Sequence, residues 1–382
     1  MAKILERQTA IYLYPESSYG KRDETAPPIP LTVFNVKISP NTDTYKREPY
    51  RASLSPVAEI VTKVFTELEF EVELGGIDAF PLQILLSAVG IKGQTGQLTF
   101  VTENIDATNT DTITLSHLPI DATELVLTSD GRPIQVPYKV IPEEKKIVFQ
   151  TPVNDSLTVK YYTPEQVNGA PQETLTLFTP TSQEFGSVSF DVYLGQLKWT
   201  INGARGNVEI IANANETAKL RFKFRGLYVN PTTEPPPQMG CGDDVTPPLV
   251  RGVDFAFNRG YYPTLSKWSL DMNNDLVARD DMNLASGVGG VEITSRKPQG
   301  SLDPDLMLPE EFDIFNATIN ASEVDMRFHI GDFWKQGARA VLINVPHAVF
   351  SSLDFGERNG VRTADLKFTA VGCDNELRIA VK

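Results

Sequence analysis

Apolar and polar residues alternate with a period of two along much of this chain, most clearly in Phe65-Thr66-Glu67-Leu68-Glu69-Phe70-Glu71-Val72-Glu73-Leu74. Successive side chains of a strand point to opposite faces, so Glu67, Glu69, Glu71 and Glu73 share one face and the apolar residues the other. A half-buried strand is predicted. Further strands are predicted over residues 31–38, 188–194, 197–201, 207–212 and 218–227. Asn202-Gly203 falls between two of them and reads as a hairpin turn, because both residues tolerate positive φ. Steps of three and four are rare. Phe80, Leu82, Leu85, Leu86 and Val89 predict a short helix closed by Gly90, and Phe312 and Phe315 a second one after Pro309. The expected fold class is all-β with short flanking helices whose apolar stripes serve packing.

The order of elements reads as one plan written twice: strand, long polar loop, strand, short helix, then four strands. The first copy has its polar loop at residues 40–62 and ends near Tyr228; the second has its loop at 273–289 and ends near Ala370. The closing segments Ala218-Lys219-Leu220-Arg221-Phe222 and Ala364-Asp365-Leu366-Lys367-Phe368 are alike. Residues 1–103 and 165–229 are therefore expected to form a first, discontinuous domain, and 251–382 a second. Between them, residues 230–250 carry Pro235-Pro236-Pro237 and Pro247-Pro248 and read as an extended linker. Residues 104–164 interrupt the first copy with strands at 112–115, 124–128, 146–150 and 157–161 and a turn at Asp130-Gly131. With polar flanks at 102–110 and 163–171 read as loops, this segment is expected to be a small β-module inserted at the surface.

Length fits this division, since 382 residues exceed one domain of roughly 100 to 200. Apolar residues at 41% and charged residues at 22% are those of a globular chain, which argues against wholesale disorder. A formal charge of −14 supplies no basic footprint for gripping nucleic acid. Cys241 and Cys373 lack any metal-ligand spacing and are expected to be reduced and idle. The first fifteen residues mix Lys3, Glu6 and Arg7 with Ile4, Leu5, Ile11 and Leu13, so no apolar signal region is expected. The longest apolar run, residues 79–91, is shorter than the roughly 18 to 20 needed to cross a bilayer, and a cytoplasmic site of synthesis is expected.

Candidate chemistry is sparse. The four glutamates could be read as glycosidase carboxylates, but alternation along one strand face points to a solvated face. Asp271, Asn273 and Asp275 have the spacing of a calcium loop, yet Leu276 and Met282 stand where a glycine and a bidentate glutamate belong. His117, His329 and His347 are isolated, and Gly93, Gly96, Gly287 and Gly290 follow no phosphate-binding spacing. No catalytic residue, cofactor or metal is expected. Surface recognition is better supplied: Tyr45, Arg47, Tyr50 and Arg51 in the first polar loop combine aromatic area with guanidinium donors, as interfaces favour. Asp275, Arg279, Asp280 and Asp281 in the second offer mostly the opposite charge.

Arg47-Glu48-Pro49-Tyr50-Arg51-Ala52-Ser53-Leu54, followed by the glutamate strand, Gly75-Gly76 and a short apolar helix, resembles the opening of siphophage tail tube proteins. Trp199-Thr200-Ile201-Asn202-Gly203-Ala204-Arg205-Gly206-Asn207-Val208, residues 220–229 and the ending Asp374-Asn375-Glu376-Leu377-Arg378-Ile379-Ala380-Val381-Lys382 are similar to the same family. The resemblance implies a structural virion protein of the tail, built from β-sandwich domains with a flanking helix. It implies six-fold rings around a lumen, which a duplicated chain would close with three copies, stacked into a tube. Tape measure protein would fill the lumen, terminator and tip proteins would cap the ends, and DNA would pass without specific binding. If Glu67, Glu69, Glu71 and Glu73 faced the lumen, they would repel phosphates. The competing expectation is a carbohydrate-binding adhesin or tail tip component, which would present exposed aromatic platforms.

Overall fold

The computed structural model describes residues 6–52, 55–237, 245–284 and 286–382. Cys241, Ser53, Leu54 and residues 1–5 lie outside them; Cys373 is exposed with a free thiol. The chain is all-β, with helices only at Ala79–Ser87, Ile314–Ile319 and two single 3-10 turns among the described residues.

The predicted glutamate strand runs from Ile60 to Glu73 and sits inside an antiparallel sheet. Its neighbours are Phe34–Tyr45 on one side and Lys219–Tyr228 on the other; beyond the latter follow Leu197–Asn213, Val188–Leu194 and Thr9–Ser18. The second half repeats this order strand for strand. Lys267–Asp271 pairs with Gln299–Leu302, and then come Val361–Ala370, Val341–Arg358, Glu323–Ile330 and Ala256–Phe257. Each helix follows the second strand of its half.

Apolar alternation explains the inward faces. Leu68, Phe70 and Val72 stand opposite Phe224, Phe222 and Leu220, and the Phe70 ring centroid lies within 6 Å of those of Phe190, Phe222 and Phe224. In the second half Trp268 packs on Phe328 and Phe368. Each such fully buried apolar side chain contributes about 1.5–3 kcal/mol. One continuous core joins the halves, because two strand pairings cross between them. Residues 209–213 pair with Lys267–Asp271. Arg378–Val381 lies between residues 341–344 and residues 176–178.

Several turns and loops read from the sequence are strand instead. Asn202-Gly203 is a bulge within the continuous strand Leu197–Asn213, Gly203 supplying its positive φ of 60°, so the two predicted strands are one. The flank at 102–110 belongs to the 24-residue strand Ile91–Thr114, whose residues 99–114 pair with Lys146–Thr163 and whose residues 91–99 pair with Gln172–Pro180. Thr102, Asn104, Asp106 and Thr108 are exposed, and only Ile105 and Ala107 on the opposite face are apolar, a weak period that resembles a loop. The polar loop at 273–289 contains strand Asp275–Asp280, which forms a hairpin with Val288–Ser295. Asp130-Gly131 does form a turn, both residues having positive φ.

The segment read as an insertion has its own core, from Ile113, Leu125 and Leu127 to Leu157, Val159 and Tyr161. It is docked on the second half. Arg378 clamps the fully buried Glu124 through two bonds of 2.7 and 3.0 Å, and Thr123 bonds to Asn344. The buried guanidinium groups of Arg259 and Arg327 donate to the carbonyls of Ala122 and Leu125. The proline-rich stretch also packs, with Thr232–Thr233 pairing on Leu197 and Lys198 and Val250 buried.

Candidate assembly surfaces

The four glutamates do share the polar face, but they meet a basic row on the adjacent strand. In register, Glu73 stands opposite Lys219, Glu71 opposite Arg221, Glu69 opposite Lys223 and Glu67 opposite Arg225. Arg225 binds Glu67 at 2.7 Å, Lys37 reaches Glu69 at 3.6 Å, and Thr217 donates to Glu73 at 2.7 Å. Glu71 is the buried member, held by Arg221 at 3.0 Å and by Asn35 at 2.8 Å. Burial pushes its carboxyl up, but Asn35, Arg221 and Lys219 outweigh that and hold it below the ordinary carboxylate range. The sequence pattern revealed the acidic row; the basic row was visible as Lys219, Arg221, Lys223 and Arg225, and only strand order could bring the two together.

Each half extends a hairpin between its first two strands. In the first half this arm is the outer end of Phe34–Tyr45 and Ile60–Glu73. It carries Tyr45 and Tyr50, both exposed, and its beginning of the second strand exposes Ile60 and Val61. Arg47 and Arg51 are exposed as well, Arg51 donating to the carbonyls of Ser55 and Pro56 at 3.1 and 3.0 Å. In the second half the arm is the hairpin Asp275–Asp280 with Val288–Ser295, and it lies across the charged face of the first half. Arg225 donates to Leu276 O at 3.3 Å and Arg205 to Val291 O at 3.1 Å, while Val291 N donates to the Tyr19 hydroxyl at 2.6 Å.

Asp275, Arg279 and Asp280 thus sit on a strand, not in a loop. Asp280 is committed within the chain, 2.5 Å from Lys63, and its hydrogen bond raises the Lys63 pKa. Asp275 and Arg279 remain exposed. Tyr45, Arg47, Tyr50 and Arg51 on one arm are not joined to the acidic residues of the other within the chain; Lys63 makes that connection.

His117 pairs with Glu165, His329 with Asp254 and His347 with Glu323, and no group of three or more metal-ligating residues occurs among the described residues. Trp268 and Trp334 are buried and Trp199 is half-buried, so none forms an exposed platform. Asp191, buried beneath Arg22 and Lys198, is raised by burial, yet Arg22, Thr200 and Lys198 hold it below its ordinary range.

No curated protein matches the chain significantly. The family described as phage tail tube protein matches residues 6–370, nearly the whole length, and is a family of structural virion components of the tail. Its all-β fold and its span over both halves agree with that match, and the chain belongs to the phage tail tube protein family.

Proposed function

We propose that this chain is the repeating unit of the tail tube, three copies closing a pseudo-six-fold ring and successive rings stacking into the conduit for DNA ejection. The observation that carries the reading is the repeated strand order, with one arm folded over its neighbouring half and the equivalent arm left projecting. A chain that already satisfies one of two equivalent contacts internally needs three copies, not six, to close a six-fold scaffold.

Within this proposal the two tandem halves are duplicated tube domains, and the docked module is an outer decoration. Tyr45, Arg47, Tyr50 and Arg51 make contacts between subunits or rings, joined by Asp275 and Arg279. Tape measure protein occupies the lumen before ejection, terminator and tip proteins close the ends, and assembly takes place in the host cytoplasm. Should the face of Glu67, Glu69, Glu71 and Glu73 line the lumen, its guanidinium groups of Arg221 and Arg225 are already engaged by carboxylates and offer phosphates no ready grip.

Mass per length of tubes in dark-field electron microscopy tests the stoichiometry. Three chains of 42.3 kDa per axial repeat are expected. A repeat holding six chains would refute the three-copy ring.

A further inference from the structure

Inside the chain, Lys267–Asp271 pairs with residues 209–213 in the register Glu209 to Asp271, Ile211 to Ser269 and Ala212 to Trp268. That pairing is possible because Val188–Leu194 covers the same side of Leu197–Asn213 only as far as Ala204. The second half contains the corresponding long strand, Val341–Arg358. Glu323–Ile330 covers one side of it only as far as Val349, so residues 350–358 have no strand neighbour on that side among the described residues. The strand corresponding to Lys267–Asp271 is Phe34–Tyr45, which among the described residues pairs with Ile60–Glu73 on one side only. One edge of each kind is open.

The internal junction fixes how two such edges would align. Glu71 and Ser301 hold the same place, opposite Arg221 and Lys367. From that anchor Phe34 corresponds to Ser269 and Lys37 to Asp271, while Ser352, Asp354 and Phe355 correspond to Glu209, Ile211 and Ala212. Val33 then takes the place of Trp268. Large apolar side chains are exposed on both open edges: Phe34 is 40% and Phe355 59% exposed. An open edge with exposed aromatics is an invitation to pair with another chain.

We propose that residues 33–37 of one chain pair antiparallel with residues 352–355 of the next, in the register Lys37 to Ser352, Phe34 to Asp354 and Val33 to Phe355. This rests on the tube reading and supplies its ring contact. The partner is a second copy, because the edges are complementary to each other and the chain joins its own halves through the equivalent pair. Each chain offers one edge of each kind, so the contact is heterologous and closes into a ring.

Residues directly opposite in such a ladder have Cβ atoms about 5 Å apart, close to disulfide reach. In a Cys241→Ser, Cys373→Ser background, Lys37→Cys/Ser352→Cys chains assembled and then mildly oxidised should give covalent dimers and a closed trimer on a non-reducing gel. Phe34→Cys/Asp354→Cys should do the same, covering a folding defect in the first pair. Each single variant should run as a monomer, and so should Lys37→Cys/Phe355→Cys, whose side chains point to opposite faces. Tubes visible by negative stain without cross-links from either matched pair would overturn the pairing while leaving the tube reading intact. Failure of the unsubstituted chain to form rings or tubes would overturn both.

Discussion

Replacing Arg378 with alanine tests whether the segment around Glu124 is rigidly docked on the second half. Arg378 is the only cation within hydrogen-bond reach of Glu124 among the described residues, and it binds both carboxylate oxygens at 2.7 and 3.0 Å. Glu124 has no exposed surface. Removing one partner of a buried pair strands the other charge at a cost of about 3–5 kcal/mol. Unfolding entropy of about 2.1 cal/mol/K per residue gives about 0.8 kcal/mol/K over 382 residues, so a single cooperative transition should drop by about 4–6 °C. Differential scanning calorimetry of Arg378→Ala measures this. Glu124→Leu/Arg378→Met, which removes both charges and keeps apolar volume, should recover most of the loss, because burying the pair itself contributes little net stability. A shift under one degree for Arg378→Ala, with no recovery to be made in the double variant, would refute the docked junction.

Along the charged face the cost of a lost pair should follow burial. Arg221→Ala, which strips the main partner from buried Glu71, should cost about 1–3 kcal/mol in denaturant unfolding, whereas Glu67→Gln at the exposed end should cost about 0.2–1 kcal/mol. Glu71 and Asp191 have lowered pKa values in the folded chain, so their stabilisation is present above the ordinary carboxylate range near pH 4 and is lost as pH falls through their folded values. Melting temperature should therefore decline below about pH 4, and less steeply in Asp191→Asn; equal slopes would count against these two groups. Arg47→Glu/Arg51→Glu should leave circular dichroism and melting unchanged while blocking tube growth in electron micrographs, and normal tubes from that variant would remove those residues from the assembly contact.

Much of the fold was legible where one face is buried. The alternation of Leu68, Phe70 and Val72 against four glutamates located the strand and its two faces, and Val188–Leu194 falls on its predicted bounds. The helix at Ala79–Ser87 was legible from its apolar steps and from Gly90, which has a φ of 80°. Residues 102–110 and 275–280 were not legible as strands, the first because only Ile105 and Ala107 break its polar run, the second because its apolar residues Leu276, Val277 and Ala278 are consecutive and give no period of two. Asn202-Gly203 misled because the positive φ that closes a hairpin also makes a bulge. The site was legible as residue types, not as partners. Arg221 and Arg225 lie about 150 residues from Glu71 and Glu67, with which they pair, a separation only the sheet order closes. Nothing in the local sequence announced that Asp280 would be spent on Lys63, or that the inserted segment would bury Glu124 against Arg378.

The central claim, a tube built from rings of three two-domain chains, is tested most directly by electron microscopy of the concentrated purified protein, with class averages viewed down the axis. Hollow tubes whose end views have three-fold symmetry with a six-fold pseudo-symmetry are the predicted result. Dispersed monomers that do not assemble even with tail initiator components added, or end views with true six-fold symmetry from six chains, would contradict it.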